Sequence, residues 1–339
     1  MKRIVLRRFG GPQVLEVETA SAPDPAPGEV VVAVRACALG ERDLQVREGN
    51  LPVELPRVPG REACGVVVQS CSPAVSFCEG DEVVLLPALS CGACLFCALG
   101  RDRACARYRR LGIDHDGALT ERLAVPERAL VLKPQGLTHA EAAASVLSLA
   151  CAHEILMRAK LRPQETVLIM LRRTDAVAGA ALQLARLLGA RVIAAAEDDE
   201  DVQIAQSLGA WNTIKVRQAD LMDEVRKITV RRGADVVVDA ANDPVVFGCV
   251  APCARIAWLS GRGESCTVDA RRLVDLGLTL LGAGEPSRAQ VLEATGFLDR
   301  GDIDAPRVHS FPMERIIQAQ RAAESAGAFR RVVVENPDA

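Results

Sequence analysis

Hydrophobic positions in the first part of the chain occur in short runs separated by proline and glycine. Three such runs, at residues 30–34, 65–68 and 81–86, are rich in valine and leucine. Proline and glycine cluster around them, as at residues 22–28. Runs of β-branched residues that are bounded by turn-forming residues are typical of strands. The pattern therefore predicts a domain of short β-strands at residues 1–137.

From Thr138 onward the pattern changes to alternating helices and strands. Apolar segments predict helices at residues 140–157 and 177–188, and strands at residues 166–170, 190–194, 234–239 and 254–259. The strands are apolar on both faces, which indicates a parallel sheet covered by helices on two sides. The predicted fold class is therefore α/β, with a β-rich domain followed by a doubly wound nucleotide-domain pattern.

Composition and charge fit a folded protein that does not attract polyanions. The 339 residues are 49% hydrophobic and 25% charged, and the formal net charge is −3. This charge gives no large field to attract nucleic acid or an anionic membrane. Apolar runs such as residues 166–171 are too short to span a bilayer, and the first residues lack the apolar core of a signal peptide. We therefore expect a cytoplasmic protein that acts on a small-molecule substrate or ligand, with no nucleic-acid or membrane partner.

Four of the twelve cysteines lie close together in the sequence, as Cys91, Cys94, Cys97 and Cys105. Four thiolates can surround a tetrahedral Zn²⁺ at about 2.3 Å per bond, and such a closed shell leaves no position for water or substrate. We predict that these cysteines bind a structural Zn²⁺; the alternative is a reduced loop without metal. The other eight cysteines stand singly, and most are predicted to be small buried hydrophobic residues.

The order of these parts resembles the medium-chain dehydrogenase/reductase superfamily, which includes the zinc alcohol dehydrogenases and the zinc-free quinone reductases. The resemblance rests on the cysteine cluster and on motifs at residues 58–62 (VPGRE), 166–189, 233–240 (GADVVVDA) and 330–334 (RRVVV). It implies a GroES-like domain at residues 1–137 with a structural zinc lobe at 88–108, a Rossmann domain at 138–270, and a segment at 271–339 that completes the sheet and returns to the first domain. It also implies a homodimer formed through the sheet edge of the nucleotide domain.

Within the superfamily, the zeta-crystallin-like quinone oxidoreductase-like proteins look closest. Segments at residues 36–39 (ACAL), 60–62 (GRE) and 167–170 (VLIM) resemble segments of that subgroup. The zinc lobe is the departure from its pattern.

The resemblance implies three positions for the ligands of a catalytic zinc, and none of them holds a ligand here. Gly40 stands where a cysteine belongs, Arg61 replaces the histidine of a Pro-Gly-His-Glu motif, and Leu147 holds the third position. An always-protonated guanidinium has no lone pair for zinc, and glycine and leucine offer no ligand atom. The Asn and Tyr that zinc-free quinone reductases keep near this loop correspond to Gly40 and Gln45. We therefore predict no catalytic zinc and assign no catalytic residue.

The turn after the first strand of the parallel sheet differs from a dinucleotide fingerprint. A Gly-x-Gly-x-x-Gly turn normally lets backbone amides approach the pyrophosphate at a helix N-terminus. Here Arg172, Arg173, Thr174 and Asp175 fill that approach, and Ala178 stands at the last glycine position. Two interpretations stay open: a solvated surface loop, or an altered grip in which the arginines attract the phosphates.

Later strand ends supply the remaining candidate cofactor contacts. Glu197 lies one position beyond the usual ribose-binding acid, and Asn242 and Ser260 follow strands on the side where relatives approach the nicotinamide. Glu197 would disfavour a 2′-phosphate, whereas Arg172 and Arg173 would attract one. The sequence therefore leaves NADP, NAD and the absence of a nicotinamide cofactor open.

Two functions from different classes follow. The first is a medium-chain dehydrogenase/reductase-like oxidoreductase without catalytic zinc, which reduces a quinone or an activated alkene with NAD(P)H. The second is a catalytically degenerate relative, a pseudoenzyme that binds a ligand or a protein partner, because the zinc ligands, the polar pair and the glycine fingerprint all depart together. The sequence favours the first only slightly, and a zinc alcohol dehydrogenase is the weakest interpretation.

Overall fold

The computed structural model describes residues 1–70, 76–171, 176–216, 220–240, 243–259 and 267–336. The elements of its first part are β1 (Lys2–Leu6), β2 (Leu15–Thr19), β3 (Glu29–Leu39), α1 (Glu41–Glu48), β4 (Glu62–Ser70), β5 (Glu82–Leu85), β6 (Ala88–Leu89), α2 (Leu95–Ala98), β7 (Arg109–Arg110), β8 (Arg122–Pro126) and β9 (Leu130–Leu132). Short 3₁₀ turns connect several of them.

The second part alternates helices and strands. Its elements are α3 (His139–Arg158), β10 (Thr166–Leu171), α4 (Ala176–Leu187), β11 (Arg191–Ala196), α5 (Asp199–Ser207), β12 (Asn212–Lys215), α6 (Leu221–Ile228), β13 (Ala234–Asp239), β14 (Val250–Trp258), α7 (Ala270–Asp275), β15 (Thr279–Gly282), α8 (Arg288–Asp299), β16 (Arg307–Pro312), α9 (Ile316–Glu324) and β17 (Arg330–Glu335). Strand β14 begins four residues before the predicted start at residue 254.

The sheet of the second part is parallel, with the strand order β12-β11-β10-β13-β14-β15. Strands β10 and β13 are buried along their whole length. The strand order reverses between these two strands, and open α/β sheets bind ligands outside the carboxyl ends of the strands at such a point. The prediction of a doubly wound parallel sheet is confirmed.

The sheet of the first part follows the order β16-β17-β3-β4-β5-β9, and β8 also pairs with β3. Strand β17 runs antiparallel to β3 and parallel to β16. The last strands of the chain are therefore built into the sheet of the first part, whereas β15 belongs to the other sheet. This return brings residues of β17 to the boundary between the two sheets.

Helix α3 lies at this boundary, packed against β3, β4 and α4. Its start is fixed by a reciprocal cap, because the Thr138 hydroxyl accepts the Glu141 amide at 3.2 Å and Glu141 accepts the Thr138 amide at 2.8 Å. The helix is long and apolar enough to cross a bilayer by length and composition, but 72% of its most apolar window is buried inside the fold. It is therefore a core helix, and its apolar length reflects contact with both sheets.

The singly placed cysteines fit the burial prediction only in part. Cys37, Cys64 and Cys249 are buried, and Cys151 is partly buried. Cys78 and Cys253 are exposed and are exceptions to this prediction. Cys78 lies just before a turn, and Cys253 has a positive φ of 63° where the pairing of β13 and β14 shifts register. Cys71 and Cys266 lie outside the described residues.

Candidate active site

A cleft opens between the two sheets, where α1, α3 and the start of α4 meet the turns after β14 and β15. It encloses about 100 Å³. The residues that line it on the side of the parallel sheet are mostly small or apolar, among them Ala176, Val177, Leu259, Ala283 and Gly284. The opposite side carries charged residues from α1, β4 and β17. This is the crevice at the carboxyl ends of the strands where α/β sheets bind ligands.

The three predicted ligand positions meet in this cleft. Gly40, Arg61 and Leu147 all line it, together with Glu62. A Cβ atom at Gly40 would lie 2.7 Å from Oε1 of Glu62, so the glutamate occupies the space that a larger side chain would need. Glu62 itself accepts a hydrogen bond from Nη2 of Arg331 at 2.7 Å. The residues present at these positions do not fit a catalytic zinc, because none of the three supplies a donor atom.

A buried ion pair takes the place of the missing ligands. Arg61 is 4% exposed; its Nη2 donates to Glu285 and its Nε donates to the Leu111 carbonyl at 3.3 Å. Burial raises the pKa of Glu285, but the positive charges of Arg61 and Arg42 outweigh burial, and the net pKa is lowered. Burial lowers the pKa of Arg61, but the charge and hydrogen bond of Glu285, together with the charges of Asp43 and Glu62, outweigh burial, and the net pKa is raised. Both groups are therefore held in their charged forms across the domain boundary.

Asp43 fixes the two turns that carry Gly40 and Arg61. One carboxylate oxygen accepts the Gly40 amide at 2.9 Å, and the other accepts the Gly60 amide at 3.1 Å. The side chain is 2% exposed, and this burial raises its pKa to about 6. Because one carboxylate holds both backbone turns, its loss would misplace Arg61 as well as the start of α1.

The four clustered cysteines lie about α2, away from the cleft. Their Sγ atoms all lie within 4.8 Å of one another, and the Cys91–Cys97 and Cys94–Cys97 separations are 3.8 and 3.5 Å. Bonds of about 2.3 Å to a tetrahedral ion place sulfur atoms about 3.8 Å apart. The Arg107 amide donates to the Cys105 sulfur at 3.4 Å, which orients that thiolate. The residues fit a structural zinc bound by four thiolates.

Of the predicted cofactor contacts, the structure describes two, Ala178 and Glu197. Ala178 is fully buried within α4, where its methyl packs in the core, as expected of the position that lets helix and strand approach closely. Glu197 is partly buried at the end of β11. The other predicted contacts lie outside the described residues: Arg172, Arg173, Thr174, Asn242 and Ser260.

Sequence reasoning missed several residues that define the cleft. Glu285 and Arg331 were not singled out, and their partners Arg61 and Glu62 lie 224 and 269 residues away. Cys151 was grouped with the singly placed cysteines, and the structure places it in the lining of the cleft. The only local signal for Glu285 was its position just after a strand end.

Comparisons with known proteins cover both parts of the chain. The family model of the alcohol dehydrogenase GroES-like domain matches residues 26–135, and that of the zinc-binding dehydrogenases matches residues 176–300. An NAD-dependent alcohol dehydrogenase of Sulfolobus acidocaldarius is 29% identical over 317 residues, 89% of this chain and 90% of the relative. The sorbitol dehydrogenase of Bacillus subtilis is 30% identical over 239 residues, 69% of this chain and 67% of the relative. A crystal structure of an NAD-dependent alcohol dehydrogenase superimposes with a TM-score of 0.91 at 35% identity, covering 99% of this chain and all of the other.

Proposed function

Because the chain belongs to the medium-chain dehydrogenase/reductase superfamily and is an alcohol dehydrogenase-like oxidoreductase, we propose that it transfers hydride from a nicotinamide cofactor without a catalytic zinc. The proposed acceptors are quinones and activated alkenes. One observation carries the proposal: Gly40, Arg61 and Leu147 meet in the cleft, and an arginine–glutamate ion pair lies where a zinc shell would need ligands. The position within the zeta-crystallin-like subgroup remains part of this proposal.

The parallel-sheet side of the cleft suits a flat nicotinamide ring. Ala176, Val177, Leu259 and Ala283 supply small or apolar walls at the carboxyl ends of the strands. A bound reduced nicotinamide would supply the hydride. The chain's own residues would hold the acceptor against that wall and exclude water from it, since a well-oriented encounter accounts for much of the rate in such transfers.

Arg61 is the group suited to polarise the acceptor. A guanidinium offers five N–H donors, and the bonds to Glu285 and Leu111 use two of them. Reduction of an enone or a quinone builds negative charge on the carbonyl oxygen, and a preorganised donor in a cleft of low polarity stabilises that charge. Because Glu285 neutralises the guanidinium at rest, Arg61 acts as a hydrogen-bond donor rather than as an uncompensated charge.

A non-catalytic binding protein is the second candidate. The observation that favours it is the same ion pair, which connects the two domains across a cleft of about 100 Å³. Losing the glycine-rich turn could also weaken the cofactor grip enough to abolish useful turnover. The two candidates differ in one measurable property, which is saturable binding of a reduced nicotinamide.

The test is a calorimetric titration with NADH and NADPH, followed by reduction assays on a quinone and on a small cyclic enone. The proposal expects saturable binding of one cofactor and turnover that survives treatment with a zinc chelator. As a control, the same chelator should abolish turnover of a zinc alcohol dehydrogenase. Failure to bind either cofactor at millimolar concentration would refute the proposal and leave the binding-protein alternative.

A further inference from the structure

A second cavity adjoins the cleft and is separated from it by Glu285. It encloses about 580 Å³ between the zinc lobe, α3 and the start of α8, whereas the cleft encloses about 100 Å³. Pockets for small organic molecules commonly measure about 300 to 1,000 Å³. The cleft therefore has room for the reacting end of a substrate, and the second cavity has room for the rest of it.

One face of α3 runs through both cavities. Leu147, Cys151, Glu154 and Arg158 are spaced by four, three and four residues, so they lie along one side of the helix. The first two line the cleft and the last two line the second cavity. At a rise of about 1.5 Å per residue, Leu147 and Arg158 are about 16 Å apart along the axis. A substrate that reached both would be elongated.

The second cavity is lined by both arginines and carboxylates. Its three carboxylates accept hydrogen bonds from other groups: Asp102 from Ser90, Glu154 from Arg158 and Glu285 from Arg61. Arg101 and Arg103 are exposed, and neither has an ion pair with a carboxylate in the part of the chain that the structure describes. Arg103 also packs on the turn after β15, where a Cβ atom at Gly284 would lie 1.5 Å from its Nη1. This guanidinium therefore borders the second cavity beside the turn at Gly284 and offers donors to an anion.

Glu154 supplies a further polar group in the lining of the second cavity. Its Oε1 accepts a hydrogen bond from Arg158 at 3.0 Å, whereas its Oε2 is buried without a partner among the described residues. A buried carboxylate oxygen that lacks a donor is costly, and a ligand N–H or O–H would satisfy it. The side chain is 9% exposed and lines the second cavity.

Resting on the function proposed above, we infer that the substrate is an elongated molecule whose reacting end enters the cleft and whose tail ends in an anionic group. The anion, a phosphate or a carboxylate, binds Arg101 and Arg103. An amide or hydroxyl group between the two ends of the substrate donates a hydrogen bond to Glu154. The zinc lobe, which carries both arginines, thus takes part in choosing the substrate.

The test measures binding to the zinc-loaded protein without cofactor, so that it does not depend on turnover. The ligands are three unreactive linear molecules, here called arms, that span about 16 Å, the separation of Leu147 and Arg158 on the helix. Each arm carries one internal amide. The first ends in a phosphate monoester, the second in a carboxylate and the third in a hydroxyl. Calorimetry should show at least one of the two anionic arms binding about tenfold more tightly than the hydroxyl arm. The preference should shrink as salt is raised.

The matched variants are Arg103→Ala and Arg109→Ala. Arg109 is an exposed arginine beyond the last cysteine of the lobe and lines neither cavity. R103A should bind the tighter anionic arm about tenfold more weakly and the hydroxyl arm unchanged, whereas R109A should change neither. A higher affinity for phosphate or for carboxylate identifies the tail. Equal binding of all three arms, or equal effects of R103A and R109A, would overturn the inference.

The outcome is separable from that of the proposed function. Arginine-dependent binding of an anionic arm, in a protein that neither binds nor oxidises reduced nicotinamide, would uphold this inference and refute the proposed function. Turnover of a short neutral enone by a protein that binds the three arms equally would uphold the proposed function and overturn this inference.

Discussion

Replacing Glu285 by glutamine leaves the Arg61 charge buried without its counterion. The side chains of Arg61 and Glu285 are 5% and 11% exposed, so water reaches neither freely. Removing one partner of a buried pair typically costs about 3–5 kcal/mol, because the remaining charge has lost its compensation. Arg42, whose Nε lies 4.0 Å from Glu285, would lose a weaker contact as well. We therefore expect E285Q to destabilise the fold by about 3 kcal/mol at neutral pH, the lower end of that range.

Thermal unfolding measures this loss. Unfolding entropies of about 2.1 cal/mol/K per residue give about 0.7 kcal/mol per degree for a chain of 339 residues that unfolds as one unit, so 3 kcal/mol lowers Tm by about 4 °C. The exposed Lys2–Glu314 pair supplies the control, since both its side chains are more than half exposed. Exposed pairs contribute about 0–1 kcal/mol, so E314Q should shift Tm by about 1 °C or less.

The effect of E285Q also has a pH dependence. The pKa of Glu285 is lower in the folded protein than its ordinary value of 4.5, since the charges of Arg61 and Arg42 outweigh the effect of burial. A lowered folded pKa contributes stability above the unfolded value and loses it as the pH falls through the folded value. The difference in Tm between wild type and E285Q should therefore persist from neutral pH to about pH 4.5 and close below it.

A double variant separates the loss of the counterion from the loss of the Glu285 side chain itself. Replacing both members of a buried pair by apolar side chains of similar volume is often neutral, so R61M/E285M should recover most of the stability that E285Q loses. If E285Q melts within a degree of wild type at neutral pH, or if R61M/E285M is no more stable than E285Q, the pair does not join the two domains as we describe.

Three further predictions concern metal, cofactor and assembly. Metal analysis should find one zinc per chain, and Cys94→Ser with Cys97→Ser should remove it, because two of four ligands are lost; a full zinc content in that variant would exclude the cluster as the site. If the protein binds NADPH, Arg172→Ala should weaken binding about tenfold in a fluorescence titration, through loss of a charge-assisted bond to phosphate; unchanged affinity would support a solvated loop instead. Light scattering should give twice the mass of one chain, as a homodimer through the edge of the parallel sheet requires, and a monomer would remove that expectation.

The fold could be predicted because its signals are local. Strands buried on both faces, such as β10 and β13, are continuous apolar runs, and the turns beside them carry glycine and proline. The four zinc-lobe cysteines were likewise visible as a spacing within fifteen residues. Periodicity misplaced the start of β14, where the strand continues through a proline, and it did not predict β12 and β15 at the two edges of the parallel sheet.

The missing zinc ligands of the cleft could be predicted from the sequence, but the ion pairs that take their place could not. The positions of Gly40, Arg61 and Leu147 followed from motifs, yet nothing local indicates that Arg61 pairs with a glutamate 224 residues later. That contact depends on how β15 ends relative to β4, which is a property of two sheets packed together. The Glu62–Arg331 bond depends in the same way on the return of β17 to the first sheet.

The two adjoining cavities indicate that the chain keeps a binding site for a ligand. A cavity lowers stability, and filling it is a common route to a more stable variant. Larger side chains at Leu147 or Cys151 would extend into the cleft that these residues line, yet the chain keeps a thiol at the second position. The second cavity is likewise bordered by exposed arginines without carboxylate partners in the described part of the chain. Open space lined by donors serves a ligand better than it serves the fold, and this favours a protein that binds a ligand in the cleft.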